Sequence, residues 1–399
     1  MEMRGDVQMK KNIILAGLIY DTNLGDRAIY ECSLKMIEDS LIEMGVKDVE
    51  IRHVDLYGRV SETNHSRARR RAANMMWRLL RNAGFSREKI TVNRVIRNLS
   101  AQINSNTKGI IFVGGGLIKF GTKQKLSDSI IAIINVSNTR NIPVMFSAVG
   151  IEGYDDSDEC QSLQRALNSN NVKMITTRDD IETLTNFYLK NDYILSASVA
   201  DPACSINELY QREISKEKIG LGIIRSNIFA EYGVEWSEQD ALKLYLELYN
   251  SVIREGYTCD LFCNGLQADY DFAKKVAHYI EENSAKKIEV QRPRKVEDLV
   301  GIITSYKAII AGRLHSCIIA YAYDIPAIGL VWNEKQVMFG ENIGYESRFI
   351  KQEDFEEEYI ISKLLQSIKE GYGKVDKREY TKSTAEYLKK YIESIIVEA

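Results

Sequence analysis

The sequence lacks the features that mark several large classes of protein. No apolar stretch approaches the length that a membrane-spanning helix requires, so we expect no such segment. The first residues, MEMRGDVQMKK, are polar and lead directly into a strand-like run, so we expect no signal peptide. Lysine and arginine total 53 against 56 aspartates and glutamates, and this net charge of −3 argues against nucleic-acid binding.

Cysteine is scarce and scattered. The six cysteines have neither the spacing of a metal site nor the density of a disulfide framework, so we expect neither. The closest pair, Cys259 and Cys263, lies in an apolar strand-like run, which favours buried free thiols. Free thiols in turn favour a cytoplasmic location.

Apolar segments alternate with helical patterns along both halves of the chain. Strands are predicted at 12–18, 109–113, 143–149, 172–176 and 194–199, and again at 219–224, 260–263, 287–290, 307–311 and 327–331. Residues 27–44 illustrate the helices between them, because apolar residues recur there near a period of 3.6. Alternating strands and helices predict parallel sheets with crossover helices, so the fold class is α/β.

A polar and charged stretch at 205–218 separates the two halves. We therefore predict an N-terminal α/β domain at 1–210 and a C-terminal α/β domain at 218–399. The last helices are expected to pack back on the N-terminal domain. Two doubly wound, Rossmann-like domains facing a cleft would give an architecture like that of the GT-B glycosyltransferases.

The segment 308–335, AIIAGRLHSCIIAYAYDIPAIGLVWNEK, carries the strongest functional signal. It predicts a strand, a helix and a second strand, with Arg313 and His315 directly after the first strand. Open α/β sheets bind ligands at this edge, and helix N-termini there attract anions. Arg313 and His315 are two residues apart, so their side chains can point the same way, to hold an anion while moving a proton.

Two glycine-containing turns follow strands in the first half. In GLIYDTNLGD, Asn23 and Asp26 precede a helix, where Asp26 either caps the helix or faces the cleft. Gly115 and Gly116 follow the strand GIIFV. Their lack of side chains either lets a ligand approach the backbone or makes room where a strand and a helix cross closely. The glycines do not form GxGxxG, and no acidic residue stands at the right distance for a ribose, which disfavours a dinucleotide.

Three more charged residues end predicted strands. Arg225 ends GLGIIR and is expected at the same sheet edge as Arg313, although a lone arginine is commonly part of a surface ion pair. Asp179 and Asp201 also follow strands. Asp179 can equally cap the next helix, and Asp201 can start a turn before a proline.

The order NLGD, GGGL, TTRD, ADPA, GIIR and AGRLHS, followed by IPAIGLVWNEK, resembles the polysaccharide pyruvyl transferase family. The resemblance runs from about residue 11 to about residue 335, and RLHS with the downstream lysine is its most specific part. It implies a glycosyltransferase-like fold and an enzyme that moves a pyruvyl group from phosphoenolpyruvate onto two hydroxyls of a sugar, forming a cyclic ketal. It implies no metal and no cofactor, since phosphoenolpyruvate is a co-substrate.

The resemblance assigns the donor site and the acid–base group, while the acceptor contacts are expected from their position in the first half. The expected phosphoenolpyruvate contacts are Arg225, Arg313, Leu314 and Lys335. The expected catalytic residues are Arg313 and His315, because guanidinium groups bind both anions of the donor and an imidazole transfers protons near neutral pH. The expected acceptor contacts are Asn23, Asp26, Gly115 and Gly116. After GGG the chain has Leu117, Ile118 and Lys119, where relatives often carry a more polar or acidic residue.

The segment 67–97 is strongly basic, with ten basic residues and one acidic residue, Glu88. Its helical pattern places Met76, Trp77 and Leu80 on one face, flanked by arginines. The pattern predicts either a peripheral contact with the inner membrane or a helix that packs on the core with its arginines in solvent. Family acceptors are often sugars carried on a polyprenyl diphosphate, for surface polysaccharides such as capsule and exopolysaccharide, so binding of that diphosphate is a third interpretation.

Two other functions stay open. A GT-B-type glycosyltransferase that uses a nucleotide sugar would need an acidic nucleotide contact in the second half, for which Asp271 and Glu334 are the candidates. A non-catalytic carbohydrate-binding or assembly protein of the same pathway would leave Arg313 and His315 without a purpose.

Overall fold

The structure is a computed structural model that describes residues 10–61, 86–119, 126–214, 217–284 and 287–397. Most of the basic segment 67–97, including Trp77, lies outside these residues.

The chain divides into two compact units. Unit 1 comprises the residues up to Asp21, Ser33–Val199 and the residues from Ser383 onward. Unit 2 comprises Thr22–Cys32 and Ala200–Lys382.

In the described residues, unit 1 is built on a seven-stranded sheet whose paired strands run parallel. Its strands are β1 (Lys11–Gly17), β2 (Val49–Asp55), β3 (Thr107–Val113), β4 (Gly116–Lys119), β5 (Val144–Glu152), β6 (Val172–Thr177) and β7 (Leu195–Ser198). The spatial order is β2-β1-β3-β5-β6-β7, and β4 pairs with β5. The inner strands β1, β3 and β5 are almost wholly buried, as expected for a parallel sheet covered on both faces.

Unit 2 contains a second parallel sheet, described with six strands. Its strands are β8 (Lys218–Gly222), β9 (Thr258–Phe262), β10 (Val290–Gln291), β11 (Ala308–Ala311), β12 (Ala327–Leu330) and β13 (Phe349–Ile350). The order is β10-β9-β8-β11-β12-β13, so β9, β8 and β11 are neighbours at the centre of the sheet. The loops after these three strands therefore leave the same edge side by side.

Helices connect the strands in both units. In the described residues they are α1 (Leu24–Glu43), α2 (Arg87–Gln102), α3 (Leu126–Arg140), α4 (Asp158–Leu167), α5 (Ile181–Thr183), α6 (Ile206–Leu209), α7 (Asn227–Glu231), α8 (Glu238–Arg254), α9 (Gln267–Ser284), α10 (Val296–Thr304), α11 (Leu314–Ala322), α12 (Glu334–Asn342), α13 (Glu357–Glu370) and α14 (Lys377–Ile396). None of these helices is long and apolar enough to span a membrane.

The division into units differs from the predicted boundary at 210–218, since it falls between Val199 and Ala200 and assigns the start of α1 to unit 2. The physical reason for the second difference is packing. Leu24, Ala28 and Ile29 are buried in the same apolar cluster as helix α11 and strand β11. From Ser383 onward, α14 belongs to unit 1, where Tyr391 donates a hydrogen bond to a backbone carbonyl of β3.

The predicted strands overlap observed strands of both sheets, while β2, β4 and β13 were not among them. The missed β2, VEIRHVD, alternates apolar and polar residues because it lies at the sheet edge and is half-buried. The missed β4 begins within the glycine turn predicted after β3, and β13 has only two residues. The six cysteines are free, as predicted, but Cys259 is only partly buried.

Candidate active site

The candidate site is built around the turn that joins β11 to α11 in unit 2. Arg313 occupies the N-cap position of α11 with extended backbone angles, so its side chain leaves the chain before the helix begins. Gly312 is required directly before it, because a Cβ there would lie 2.3 Å from the Ile224 Cγ2 atom. Its carbonyl also accepts a hydrogen bond from the Trp332 indole Nε1 at 2.6 Å. This turn therefore fixes the direction in which Arg313 projects.

A buried carboxylate joins the two arginines that were predicted from the sequence. Asp269, in the first turn of α9, is fully buried and accepts two hydrogen bonds from Arg313, from Nε at 2.8 Å and from Nη2 at 3.0 Å. The same carboxylate lies 3.5 Å from Arg225 Nη1 and also accepts from the Arg225 backbone N–H at 3.4 Å. Arg225 thus lies beside Arg313, although it follows the end of β8 by three residues instead of ending the strand.

An aromatic side chain lies beside Arg313. The Arg313 guanidinium carbon lies 5.7 Å from the centre of the Trp332 ring, within the range of a cation–π contact. Tyr232 packs edge-on against Trp332 at 4.9 Å between ring centres. Since Trp332 is also anchored to the Gly312 carbonyl, it restricts the positions that Arg313 can adopt.

His315 lies in the first turn of α11 and is held tightly. Its Nε2 atom lies 3.6 Å from Asp201 Oδ2, and the two side chains are 10% and 3% exposed. Asp201 is itself fixed, because its other oxygen accepts a hydrogen bond from the Ala203 backbone at 2.8 Å. On the other side the ring lies against Gly25, where a Cβ would come within 2.3 Å of Nδ1. The imidazole therefore lies beside a carboxylate and has no space to move towards α1.

The other predicted donor contacts lie at helix starts in unit 2. Leu314 is the first residue of α11, whose first N–H groups have no partner within the helix. The neighbouring Ser316 donates a side-chain hydrogen bond to Asn264 at 2.6 Å, which ties this turn to the loop after β9. Lys335 lies in the first turn of α12 and is half-buried.

The predicted acceptor contacts fall in both units. Asn23 and Asp26 flank Gly25 in unit 2, and Asn23 Nδ2 donates to Asp26 Oδ2 at 2.7 Å, so both side chains take part in organising the start of α1. Gly115 and Gly116 lie in unit 1. The Gly115 carbonyl accepts hydrogen bonds from Gly150 and Leu117, so this turn has a structural part in the sheet.

Sequence reasoning missed Asp269, which contacts both arginines. Its only sequence signal was its place in the first turn of a helix that follows a strand. The acidic candidates named for a nucleotide lie elsewhere: Asp271 forms an exposed ion pair with Lys274 at 3.0 Å, and Glu334 is exposed. The Lys274 ammonium lowers the pKa of Asp271.

No group of three or more His, Cys, Asp or Glu side chains that could hold a metal ion occurs in the part of the chain that the structure describes.

Solved structures with a similar fold cover nearly the whole chain. The UDP-GlcNAc 2-epimerase of Methanocaldococcus jannaschii, in complex with UDP-GlcNAc and UDP, is 12% identical, with 96% of this chain and 99% of that chain covered and a TM-score of 0.55. The UDP-N-acetylglucosamine 2-epimerase of Rickettsia bellii is 12% identical, with 98% and 100% covered and a TM-score of 0.54. MnaA of S. aureus with UDP is 12% identical, with 98% of each chain covered and a TM-score of 0.55. These similarities confirm the predicted fold class, two doubly wound α/β domains of the GT-B type.

Among curated proteins, no sequence matches the chain. The model of one family, described as polysaccharide pyruvyl transferase, matches residues 23–334. That span contains both arginines, Asp269, His315 and the turn around Gly25. Because the match extends over most of the sequence, the chain belongs to the polysaccharide pyruvyl transferase family.

Proposed function

We propose that the protein transfers a pyruvyl group from phosphoenolpyruvate to two hydroxyls of one sugar in a surface polysaccharide or its lipid-linked precursor. The methylene carbon of the donor gains a proton, and C2 becomes an oxocarbenium-like electrophile. One sugar hydroxyl adds to C2 and loses its proton. The bond from C2 to the phosphate oxygen then breaks, so phosphate leaves and C2 again becomes an oxocarbenium-like electrophile. The second hydroxyl adds to C2 and loses its proton, which closes the ketal. Of the two hydroxyl protons, one offsets the proton gained by the methylene carbon and the other is carried away by phosphate.

The observation that carries this proposal is the pair of arginines on one buried carboxylate. Phosphoenolpyruvate has a carboxylate and a phosphate, and planar guanidinium groups bind both types of anion through paired hydrogen bonds. Arg225 and Arg313 lie at the carboxyl edge of a parallel sheet, where α/β folds bind ligands. Leu314, at the N-terminus of α11, and Lys335 supply further positive potential in this proposal.

In this proposal His315 transfers the protons. Asp201 lies 3.6 Å from its Nε2 atom, so this carboxylate can orient the ring for proton transfer. General acid–base assistance is worth roughly 10²–10⁴-fold in rate. Holding donor and diol together contributes a further large part of the acceleration.

The acceptor side of the proposal rests on weaker contacts. Asn23 and Asp26 flank the glycine that touches His315, so they are the acceptor contacts nearest the proton-transfer group. Gly115 and Gly116 are proposed as backbone contacts for the sugar. We also propose that a lipid-linked acceptor is reached through a peripheral membrane contact of the basic segment 67–97, as its sequence alone indicates.

The proposal places the reaction in the cytoplasm without a metal or cofactor. The six free cysteines fit a compartment in which thiols stay reduced. Sedimentation with liposomes tests the membrane contact, because equal binding to anionic and neutral vesicles would contradict it.

Calorimetric titration without metal tests the donor assignment. Phosphoenolpyruvate should bind the wild-type protein, and this binding should be lost in Arg313→Ala. The His315→Gln variant should bind the donor normally and lose turnover. Tight binding of UDP or a UDP-sugar with no response to phosphoenolpyruvate would instead favour a nucleotide-sugar glycosyltransferase, the alternative function of this fold.

A further inference from the structure

We infer that Asp269 is the positioning residue that sets the spacing of the two arginines, and so makes the site select a ligand with two separate anionic groups over a single anion. The inference rests on the proposed donor site, which it deepens. It concerns a residue that contacts the two arginines and is expected to make no contact with the donor itself.

The bond between Asp269 and Arg313 fixes one edge of the guanidinium. Nε and Nη2 each donate to a different carboxylate oxygen, which is the bidentate geometry that holds the plane of the group. An arginine has five N–H groups, so two on Nη1 and one on Nη2 remain. These three have no acceptor assigned among the described residues. Asp269 therefore directs the opposite edge of Arg313 towards a ligand.

The same carboxylate fixes Arg225 by a different contact. Its Oδ1 atom accepts from the Arg225 backbone N–H at 3.4 Å and lies 3.5 Å from Nη1. Arg225 is therefore anchored at its main chain, while its side chain is 23% exposed and also lies 3.6 Å from Glu231. One buried carboxylate thus sets the distance between a guanidinium held by two short hydrogen bonds and a more exposed one with longer contacts.

The charge balance of the three groups supports this role. A fully buried carboxylate is stable only when it is paired, and the N-terminus of α9 also favours a negative charge at Asp269. Asp269 offsets the charge of one arginine, and Glu231, 3.6 Å from Arg225, offsets that of the other. Because the cluster has little net charge, affinity for an anion depends on meeting both guanidinium groups at once.

A purely electrostatic counter-ion would behave differently from a positioning residue. Removing its charge would strengthen binding of all anions by a similar factor, because the arginines would become more positive together. Removing a positioning residue would lower affinity for the two-anion ligand while single anions gain or keep affinity. The ratio of the two affinities therefore separates the two roles.

The test compares Asp269→Asn and Asp269→Glu with the wild type and with Asp271→Asn. The control lies on the same helix and removes an exposed carboxylate paired with Lys274. Calorimetry with phosphoenolpyruvate, inorganic phosphate and pyruvate gives the affinity ratios. Selective ¹⁵N-arginine labelling gives the exchange rate of the Arg313 Nε–H group, assigned by its absence in Arg313→Lys.

We expect the preference for phosphoenolpyruvate over phosphate to fall at least about tenfold in both Asp269 variants, with Asp271→Asn unchanged. The Arg313 Nε–H group should exchange slowly in the wild type and fast in Asp269→Asn. Equal changes in both affinities, or slow exchange in Asp269→Asn, would overturn the inference. If Asp269→Asn does not fold, the test uses Asp269→Glu, which keeps the negative charge and moves it by one methylene. An unchanged affinity ratio in that variant would overturn the inference.

The outcome also separates this inference from the proposed function. If the wild type binds phosphate and not phosphoenolpyruvate, the donor assignment is wrong, and so is the inferred preference for a ligand with two anionic groups. The exchange rate of the Arg313 Nε–H group then still shows whether Asp269 positions Arg313. If the wild type binds phosphoenolpyruvate and the ratio is the same in every variant, the donor assignment stands and the inference fails.

Discussion

Two arginines of unit 2, the half-buried Arg313 and the buried Arg348, are held in different ways. The Arg348 guanidinium lies 4.0 Å from the ring centre of Tyr345 and 4.7 Å from that of Tyr372, and its Nη2 donates to the Gly371 carbonyl at 2.6 Å. Arg313 contacts one aromatic ring, at 5.7 Å, and its strongest partner is a carboxylate at one edge.

The difference decides which arginine can bind a ligand. The side chain of Arg348 is 4% exposed, and its Nη1 atom is buried without an acceptor among the described residues. Such an arginine stabilises the fold through its aromatic contacts. Arg313 is 12% exposed and keeps N–H groups on the edge opposite Asp269. The comparison teaches that accessibility of the guanidinium edge, more than burial of the residue, marks an arginine as a candidate binding group.

The largest expected effect comes from replacing Arg313, whose guanidinium is bonded to Asp269 along one edge. Arg313→Lys keeps the charge but loses the paired bonds to Asp269, because an ammonium group cannot reproduce the planar geometry. We expect kcat/KM for ketal formation to fall by about 10²–10³-fold, the loss typical for one transition-state donor. Steady-state kinetics beside Arg212→Lys, an exposed arginine paired with Glu297, checks this. A loss below about tenfold would remove Arg313 from the proposed site.

A nearly equal loss of activity is expected from Gly25→Ala, which touches neither arginine. The new Cβ would lie 2.3 Å from His315 Nδ1, so the ring must shift away from its place beside Asp201. A displacement of about 1 Å can cost 10²-fold in rate, while donor affinity should stay unchanged. Gly301→Ala is the matched control, since nothing lies within 4 Å of its Cβ position. Full turnover in Gly25→Ala would contradict the role of His315.

A smaller effect, confined to the stability of the fold, is expected from replacing Arg348, whose guanidinium lies over two aromatic rings. Arg348→Met removes two cation–π contacts and the bond to Gly371, so the free energy of unfolding should fall by about 1–3 kcal/mol. Turnover of the folded protein should not change. Urea unfolding beside Arg254→Met, where the arginine side chain is 71% exposed, provides the measurement. A loss of donor binding in folded Arg348→Met would contradict the purely structural role of Arg348.

The effect that is smallest at neutral pH concerns the thiols near Arg313, because it develops only under alkaline conditions. Burial raises the pKa of Cys263 to about 11 and that of Cys317 to about 12. The unfolded thiols ionise first, near pH 8.5, so stability is fully present below that pH and is lost as the pH rises through the folded values. We expect unfolding free energies to fall between pH 8.5 and pH 10 by up to about 1.4 kcal/mol per pH unit for each thiol.

Replacing one thiol isolates its share of this pH dependence. Urea unfolding of Cys317→Ala at pH 7 and pH 10 should show a shallower decline than the wild type, because one ionisable group is removed. An identical decline in both proteins would show that Cys317 ionises equally in both states.

The sequence predicted much of the fold because apolar runs and helical periods are local signals. The sheets of both units follow from strands such as β3 and β11, whose continuous apolar residues exclude an exposed surface strand. It also placed Arg313 and His315 at a strand end, since both are adjacent to β11 in the chain. The half-buried β2 and the two-residue β13 gave no comparable pattern.

What the sequence determined by itself was the α/β class, the GT-B type of fold, the family resemblance and the position of Arg313 beside His315. Only the tertiary structure decided the partners of these residues. Asp269 reaches both arginines because β9, β8 and β11 are neighbours in a sheet order that differs from their order in the chain. Gly25 reaches His315 across about 290 residues of sequence, because the start of α1 packs in the core of unit 2. Contacts of this kind depend on topology and packing, which no local pattern encodes.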